Sequence, residues 1–440
     1  MPFIYRRGRL FVGREGATYG TPLTNTTALL GMQNGPLSGL VTTALGAQAS
    51  TPGLAMPILT REFEPLFLKH QSPAQLGRRF EDVAMVPGRR NAAGQFSVEV
   101  MPDTMGLLLL LAFGTDVVTA TVTGQTLSGA GNTANATTIT VTNATDPALV
   151  DGQAIWINDG ALSEYVYVSG AVSANATSIP IRGGGGTGGG LKNSHAASTP
   201  IQIGPWTHTF TPSAGSPGTF QGEDNWGGHA SSLLYTGLLI DSLQLLGPIE
   251  NDTEALTAVL KVLGKAPSAT PVAASPAPSG VPLEEESVAA GNNVALVSTG
   301  STSSPVYAAD FKATLMNTAR LAKSQVNSPD PAFGIGTNFN FRGSMETIFE
   351  DYGSYQDFAN NVIWSPMTIT WTWPSALLKK TSPIAASIAI TVQRFAIEKI
   401  GKAVMKDDMV RVPIDAFRAE DYQDFSNPVT VVLTNNVAQY

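Results

Sequence analysis

Residues 368–393 read TITWTWPSALLKKTSPIAASIAITVQ, and the fold class turns on this stretch. Thr368, Thr370 and Thr372 alternate with Ile369, Trp371 and Trp373. After a turn-rich segment, Ser387, Ala389, Thr391 and Gln393 alternate with Ile388, Ile390 and Val392. A period of two sends neighbouring side chains to opposite faces, so the spacing predicts two strands with one apolar face and one polar, uncharged face. The apolar Ile/Trp face is expected to pack against a helix of its own unit.

Working outward, Phe96–Val100 alternates as a strand, and Pro102-Asp103 opens a helix with Asp103 as its N-cap and Gly114 as its stop. Leu107–Leu111 is apolar all round, which predicts a buried helix. Ser344 is expected to cap a second helix over 344–352 through Met345, Ile348, Phe349 and Tyr352. Further strands are predicted at Leu10–Val12, Thr138–Thr142, Ala154–Ile157, Tyr165–Val168, Ile179–Ile181, Trp206–Phe210, Leu256–Leu263, Asp310–Asn317 and Val429–Leu433.

These elements divide the chain. Residues 1–60 read as an extended arm that would lie on another subunit or sheet. A first β unit covers 61–114 and 206–265, interrupted by a nearly uncharged all-β module at 115–205. A Pro/Ala-rich linker at 266–284 leads to a second β unit at 285–440. In each unit a strand leads into a helix and several strands follow, and an order repeated over similar lengths suggests duplication of one domain. The expected fold is mainly β with few helices: two tandem β-sandwich or barrel domains, each with one helix, plus the small inserted module.

Composition narrows the function. Only 14% of the 440 residues are charged and the net charge is −8, which argues against holding nucleic acid through its phosphates but not against letting it pass. Cysteine is absent, so disulfides and thiolate metal sites are excluded. The longest apolar run, Met105–Phe113, is too short to span a bilayer. A soluble protein made in the cytoplasm, without membrane insertion, is expected.

Catalytic signals are missing. His70, His195, His208 and His229 have no metal-ligand spacing and read as isolated surface or turn residues. The glycine loop Gly183–Gly190 follows a strand, but no helix follows it, as a dinucleotide or phosphate site requires. No GxSxG elbow occurs. Glu346, Glu350 and Asp351 read as a solvated helix face. Arg78-Arg79 and Arg89-Arg90 lack interleaved aromatics and are expected to meet acidic surface on a neighbouring subunit. No catalytic, cofactor-binding or metal residue is nominated, and a non-enzymatic role is expected.

The phrase GREGATYGTP (13–22), the run FSVEVMPDTMGLLLLLAFG (96–114) and the strands of 233–265 resemble the tail tube proteins of long, non-contractile-tailed bacteriophages. The inserted module resembles the small β domains that decorate phage tail proteins. The resemblance implies a structural virion protein of the tail, assembled in the host cytoplasm. Its domains join those of neighbours into rings, stacked as a conduit for genome ejection, usually with six domains per ring. Two domains per chain would make a trimeric, pseudo-sixfold ring, with a plain hexamer as the alternative. The implied partners are other copies of the chain, other tail proteins, and viral DNA passing without specific binding; no cofactor is implied. The expected bore-lining residues are Thr368, Thr370, Thr372, Ser387, Thr391 and Gln393. The rival expectation is a decoration protein or adhesin that binds a cell surface.

Overall fold

Alternating burial runs through most of the chain, and it builds a mainly β molecule. The computed structural model describes residues 8–16, 19, 41–42, 53–71, 85–129, 132–145, 148–226, 229–248, 255–267, 270–276, 294–298, 308–322, 328–348, 353–363, 366–373, 385–406, 409–419 and 427–440. Strands β1 (Arg9–Arg14), β2 (Val41–Thr42), β3 (Gly53–Ala55), β4 (Ile58–Gln71) and β5 (Met85–Glu99) precede helix α1 (Pro102–Phe113). Then come β6 (Gly114–Thr126), β7 (Thr138–Thr145), β8 (Ala154–Ile157), β9 (Glu164–Val168), β10 (Ala176–Arg182), β11 (Pro200–Pro212), β12 (Phe220–Asn225), β13 (Ser231–Pro248), β14 (Thr257–Gly264) and β15 (Val272–Ala273). The remainder contributes β16 (Val294–Ser298), β17 (Ala308–Met316), β18 (Ala319–Leu321), β19 (Gly334–Gly336), β20 (Asn340–Ile348), helix α2 (Gly353–Ala359), β21 (Met367–Thr372), β22 (Ser387–Val392), β23 (Phe395–Ile400), β24 (Val404–Lys406), β25 (Met409–Ala419) and β26 (Val429–Asn435).

Two large sheets face each other across one apolar core, and neither closes into a barrel. The first has fourteen strands, eight of which form an array in the order β4-β5-β14-β13-β17-β20-β25-β23. The first half of β13 leaves this array to pair with β12, which carries β1, β3 and β2. In the second sheet β16, β21, β22, β26 and β11 are neighbours, β6 lies on the far side of β11, and β8 to β10 and β7 continue from β11. Residues of β6 to β11 also close a separate core that includes Val122, Ile155, Val166, Ile179, Leu191 and Ile203.

The order of strands repeats. In β4-β5-β14-β13, a hairpin is followed in space by the unit's last strand and then its third. The array β17-β20-β25-β23 has the same order. A helix follows the second strand of each set: α1 after β5, α2 after β20. Each helix is followed by a hairpin in the opposite sheet, β6–β11 in one case and β21–β22 in the other. A bulge recurs as well. The pairing of β13 with β14 slips between Ile240 and Ser242, and that of β23 with β25 slips between Ile397 and Lys399. Bulges bend a strand at a defined point, so the match aligns the two units at Ile240 and Ile397, although β23 slips against β25 again between Lys399 and Ile400.

Helix α1 has all twelve residues buried between the sheets. Pro102 supplies its first position, where the missing N–H is no loss. Gly114 ends it at φ 88°, with its N–H donating to the Leu110 carbonyl. Asp103 is not the N-cap: Met101 occupies that place without a side-chain bond, and Asp103 Oδ1 accepts the Asn436 amide at 3.2 Å. The helix expected at 344–352 is instead strand β20 as far as Ile348. Phe341, Met345 and Thr347 are buried while Arg342 and Ser344 on the other face are more exposed. The second helix begins only at Gly353. Residues 349–352, with Glu350 and Asp351, lie outside the described residues.

Three other expectations change. Leu10, Phe11 and Val12 are buried in the chain's own core, in a strand paired with β12 and β3, so this part of the N-terminal segment is not an arm laid on another subunit. Within 266–284, β15 pairs with Ser231 and Ser232 of β13, and Ser275 bonds the buried Glu223. The Ile/Trp face of β21 packs against the opposite sheet rather than a helix. The Trp371 ring lies 5.8 Å from that of Phe311, and Gly247 leaves space for its indole.

Candidate assembly surfaces

The sandwich presents two broad outer faces and two sheet edges. On the outer face of the second sheet, all six expected residues come together. Antiparallel pairing sets Thr368 opposite Thr391, Thr370 opposite Ala389 and Thr372 opposite Ser387. The Thr368 and Thr391 hydroxyls are 2.9 Å apart, and Gln393 is exposed just beyond β22. Residues opposite each other share a face, so the same rows continue across the sheet. One row runs Thr372, Ser387, Thr434, Thr207, Thr119; the next runs Thr370, Ala389, Val432, Thr209, Val117. The threonines of β11 and β26 are visible as alternation in THTFT (207–211) and TVVLT (430–434). Nothing in the sequence placed those strands beside β22.

The outer face of the eight-stranded array is polar and charged. A row from β14 to β23 reads Val259, Gln244, Thr314, Arg342, Arg418, Ala396. The Gln244 amide donates to Thr314 Oγ1 at 3.0 Å. Arg342 and Arg418 stand directly opposite each other, and Glu398 bridges them at 3.7 and 3.6 Å. Lys399 meets Asp415 at 2.9 Å. Toward β4, Glu62 lies opposite Gln95, which lies opposite Lys261. Arg342, Arg418 and Lys399 stand beside acids, which leaves them little positive charge to grip phosphate.

Both ends of this array are edges. Among the described residues β4 pairs only with β5 and β23 only with β25. Phe63 on β4 and Ile400 on β23 are half-buried at the two margins of the main core. Phe63 stacks on Tyr235 at 5.0 Å.

Two histidines are buried, not surface residues. His195 bonds Asp159 through Nδ1 at 2.9 Å and Glu164 through Nε2 at 2.8 Å. Two carboxylate acceptors require both nitrogens to donate. Burial opposes the charged ring, but Glu164 and Asp159 outweigh it and raise its pKa. His208 bonds Asp116 at 2.8 Å and the Val437 carbonyl at 2.7 Å. His229 is exposed, and no group of three or more metal-ligating side chains occurs among the described residues. Arg90 pairs with Asp330 of its own chain at 2.9 Å rather than with a neighbour. Arg78-Arg79 lies outside the described residues.

A second buried pair anchors the N-terminal strand. Arg61 Nε lies 3.0 Å from Asp224, and its other nitrogens donate to the carbonyls of Arg9 and Asn225 at 2.8 Å. Burial pushes the Asp224 carboxyl up to about 6, against the pull of Arg61. Two backbone carbonyls fill the remaining donors of Arg61, which offsets part of the cost of burying its charge. The Arg61–Asp224 pair ties β4 to β12, and His195 ties the loop before β11 to Asp159 and to Glu164 of β9.

No helix among the described residues is long and apolar enough to cross a membrane. A protein-family model described as phage tail tube protein matches residues 6–403. No curated protein matches the chain.

Proposed function

We propose, from the premise that this chain belongs to the phage tail tube protein family, that it is the ring-forming unit of a non-contractile tail and the conduit for genome ejection. The observation that carries the proposal is the recurrence of one four-strand order within a single sheet, joined at β13–β17 and left with two edges unpaired among the described residues. A sheet with complementary ends propagates head to tail and closes when the rotation permits. Each chain supplies two wall units, so three chains make a pseudo-sixfold ring, and rings stack into the tube. Other tail proteins cap the stack, and DNA passes without specific binding.

The repeated four-strand order lies within the eight-stranded array, between its edges β4 and β23, so that array forms the continuous wall. The module of 115–205 extends the opposite sheet, because β11 runs on from β26 to β8. A module of that size cannot share a bore with DNA. The eight-stranded array is then the inner layer, with Gln244 and Thr314 facing the bore and the threonine rows facing outward. The sequence expectation puts Thr368, Thr370, Thr372, Ser387, Thr391 and Gln393 in the bore instead, and labelling separates the two. In assembled tubes a cysteine replacing Thr314 should resist a bulky thiol reagent while one replacing Thr370 reacts. The reverse pattern would restore the sequence expectation. Negative stain of the purified chain tests the function itself, since rings or tubes are expected and a dispersed monomer at high concentration would refute it.

A further inference from the structure

We infer that Arg342, Arg418 and Glu398 form a contact point for the phosphodiester backbone of double-stranded DNA, with Glu398 setting its strength. The inference rests on the proposed function above, in which the eight-stranded array faces the bore.

The repeated strand order shows what sets this cluster apart. Phe417 and Val262 are equivalent, because each faces the last residue before the shared bulge, Ile397 in one unit and Ile240 in the other. One residue further along, Arg418 then corresponds to Leu263, and the residues they face, Arg342 and Ala93, correspond as well. The bulge residues, skipped by the pairing, are Glu398 and Asp241. The first unit therefore has no cation at either place. Its acid is also engaged elsewhere, since Asp241 Oδ1 accepts the Ala319 amide at 2.8 Å at the start of β18. In the second unit the bulge instead brings a carboxylate up to two arginines that stand side by side.

Like charges directly opposite each other on neighbouring strands repel, so Arg342 and Arg418 cost the sheet stability unless an anion lies near both. Glu398 supplies one negative charge against their two positive ones, at 3.7 Å from Arg342 and 3.6 Å from Arg418. Those are ion-pair separations, longer than a charge-assisted hydrogen bond of about 2.8 Å. The arginine side chains are 55% and 48% exposed, so both reach the surface of the array. A planar guanidinium matches two phosphate oxygens at once, and the surplus positive charge attracts the backbone whatever the base sequence. Glu398 competes with phosphate for the same arginines, which makes the contact weak and readily released. The cluster occupies one unit of the two, and this keeps such contacts sparse along the wall.

The test uses tubes of the full chain and a short DNA duplex, with retention measured over a salt titration. Native tubes should hold the duplex weakly at low salt. Glu398→Gln, and independently Glu398→Ala, should tighten that binding about tenfold and steepen its salt dependence. Adding Arg342→Gln and Arg418→Gln should bring retention below the native level. A duplex closed at both ends by beads wider than the tube should be held by none of them, because it cannot enter. Equal retention by native tubes and both Glu398 variants would overturn the contact and leave the tube function standing. Retention of the bead-capped duplex as tightly as the open one would put the cluster on the tube's exterior and overturn a contact within the bore. Absence of tubes from the native chain would overturn the ring reading and this inference with it.

Discussion

His195 has no exposed side-chain surface, and both of its nitrogens are held by acids. Its pKa is higher in the folded chain than the ordinary 6.5, so the folded state binds the proton more tightly. The resulting stabilisation is complete below about pH 6.5 and is lost as pH rises through the raised value. His195→Gln should cost about 3 kcal/mol at pH 6, with a smaller cost at alkaline pH, read by denaturant unfolding of both proteins across that range. Tyr440 is a second case. Its hydroxyl donates to the Asp103 carbonyl at 2.8 Å, and its ring occupies the space a side chain at Gly106 would need. Gly106→Ala should therefore destabilise the chain by about 1–3 kcal/mol despite its better helix propensity, measured the same way. Arg61→Ala should cost more, about 3–5 kcal/mol, because it leaves the Asp224 carboxylate buried without its cation. Lowering the pH below about 6 should shrink that loss as Asp224 takes up its proton.

Among the elements, the strands were legible wherever one face is buried. Burial on β21 and β22 alternates strictly, as the Thr/Ile/Trp spacing required. Ile390→Ala on the buried side should cost about 3 kcal/mol and Thr391→Val on the open side less than about 1 kcal/mol, compared by thermal unfolding. Helix α1 was legible because Pro102 and Gly114 bracket a run with no polar face. The stretch 344–352 misled because Met345, Ile348, Phe349 and Tyr352 satisfy helical spacing, while Phe341, Met345 and Thr347 satisfy the strand period. Pairing with β17 and β25 on both sides decided for the strand. The buried roles of His195 and His208 were invisible because their acids lie far away in sequence: pairing of β6 with β11 brings Asp116 to His208, and loop packing brings Asp159 and Glu164 to His195. The six residues expected on one face do share it. The companion threonines on β26, β11 and β6 depended on strand order, which alternation alone does not encode.

At the scale of the whole molecule, the separate core of residues 122–203 predicts that 123–202 can be replaced by a short turn joining β6 to β11. The shortened chain should remain folded and still form rings of the same diameter in negative stain; an unfolded product would refute an independent module. The hairpin that carries this module, β6–β11, has a counterpart, β21–β22, in which residues 373–386 alone link the strands. One unit of each chain is therefore dressed and the other bare, and the peptide backbone between them keeps the proportion fixed. In a closed ring of three, dressed and bare positions must alternate at about 60° intervals, so that dressed ones recur at about 120°, whatever the concentration or mixture of variants. A reporter or antigen grafted into the Gly183–Gly190 loop would then be displayed on a regular lattice along the tail, at half the density of the wall units and never on two adjacent ones.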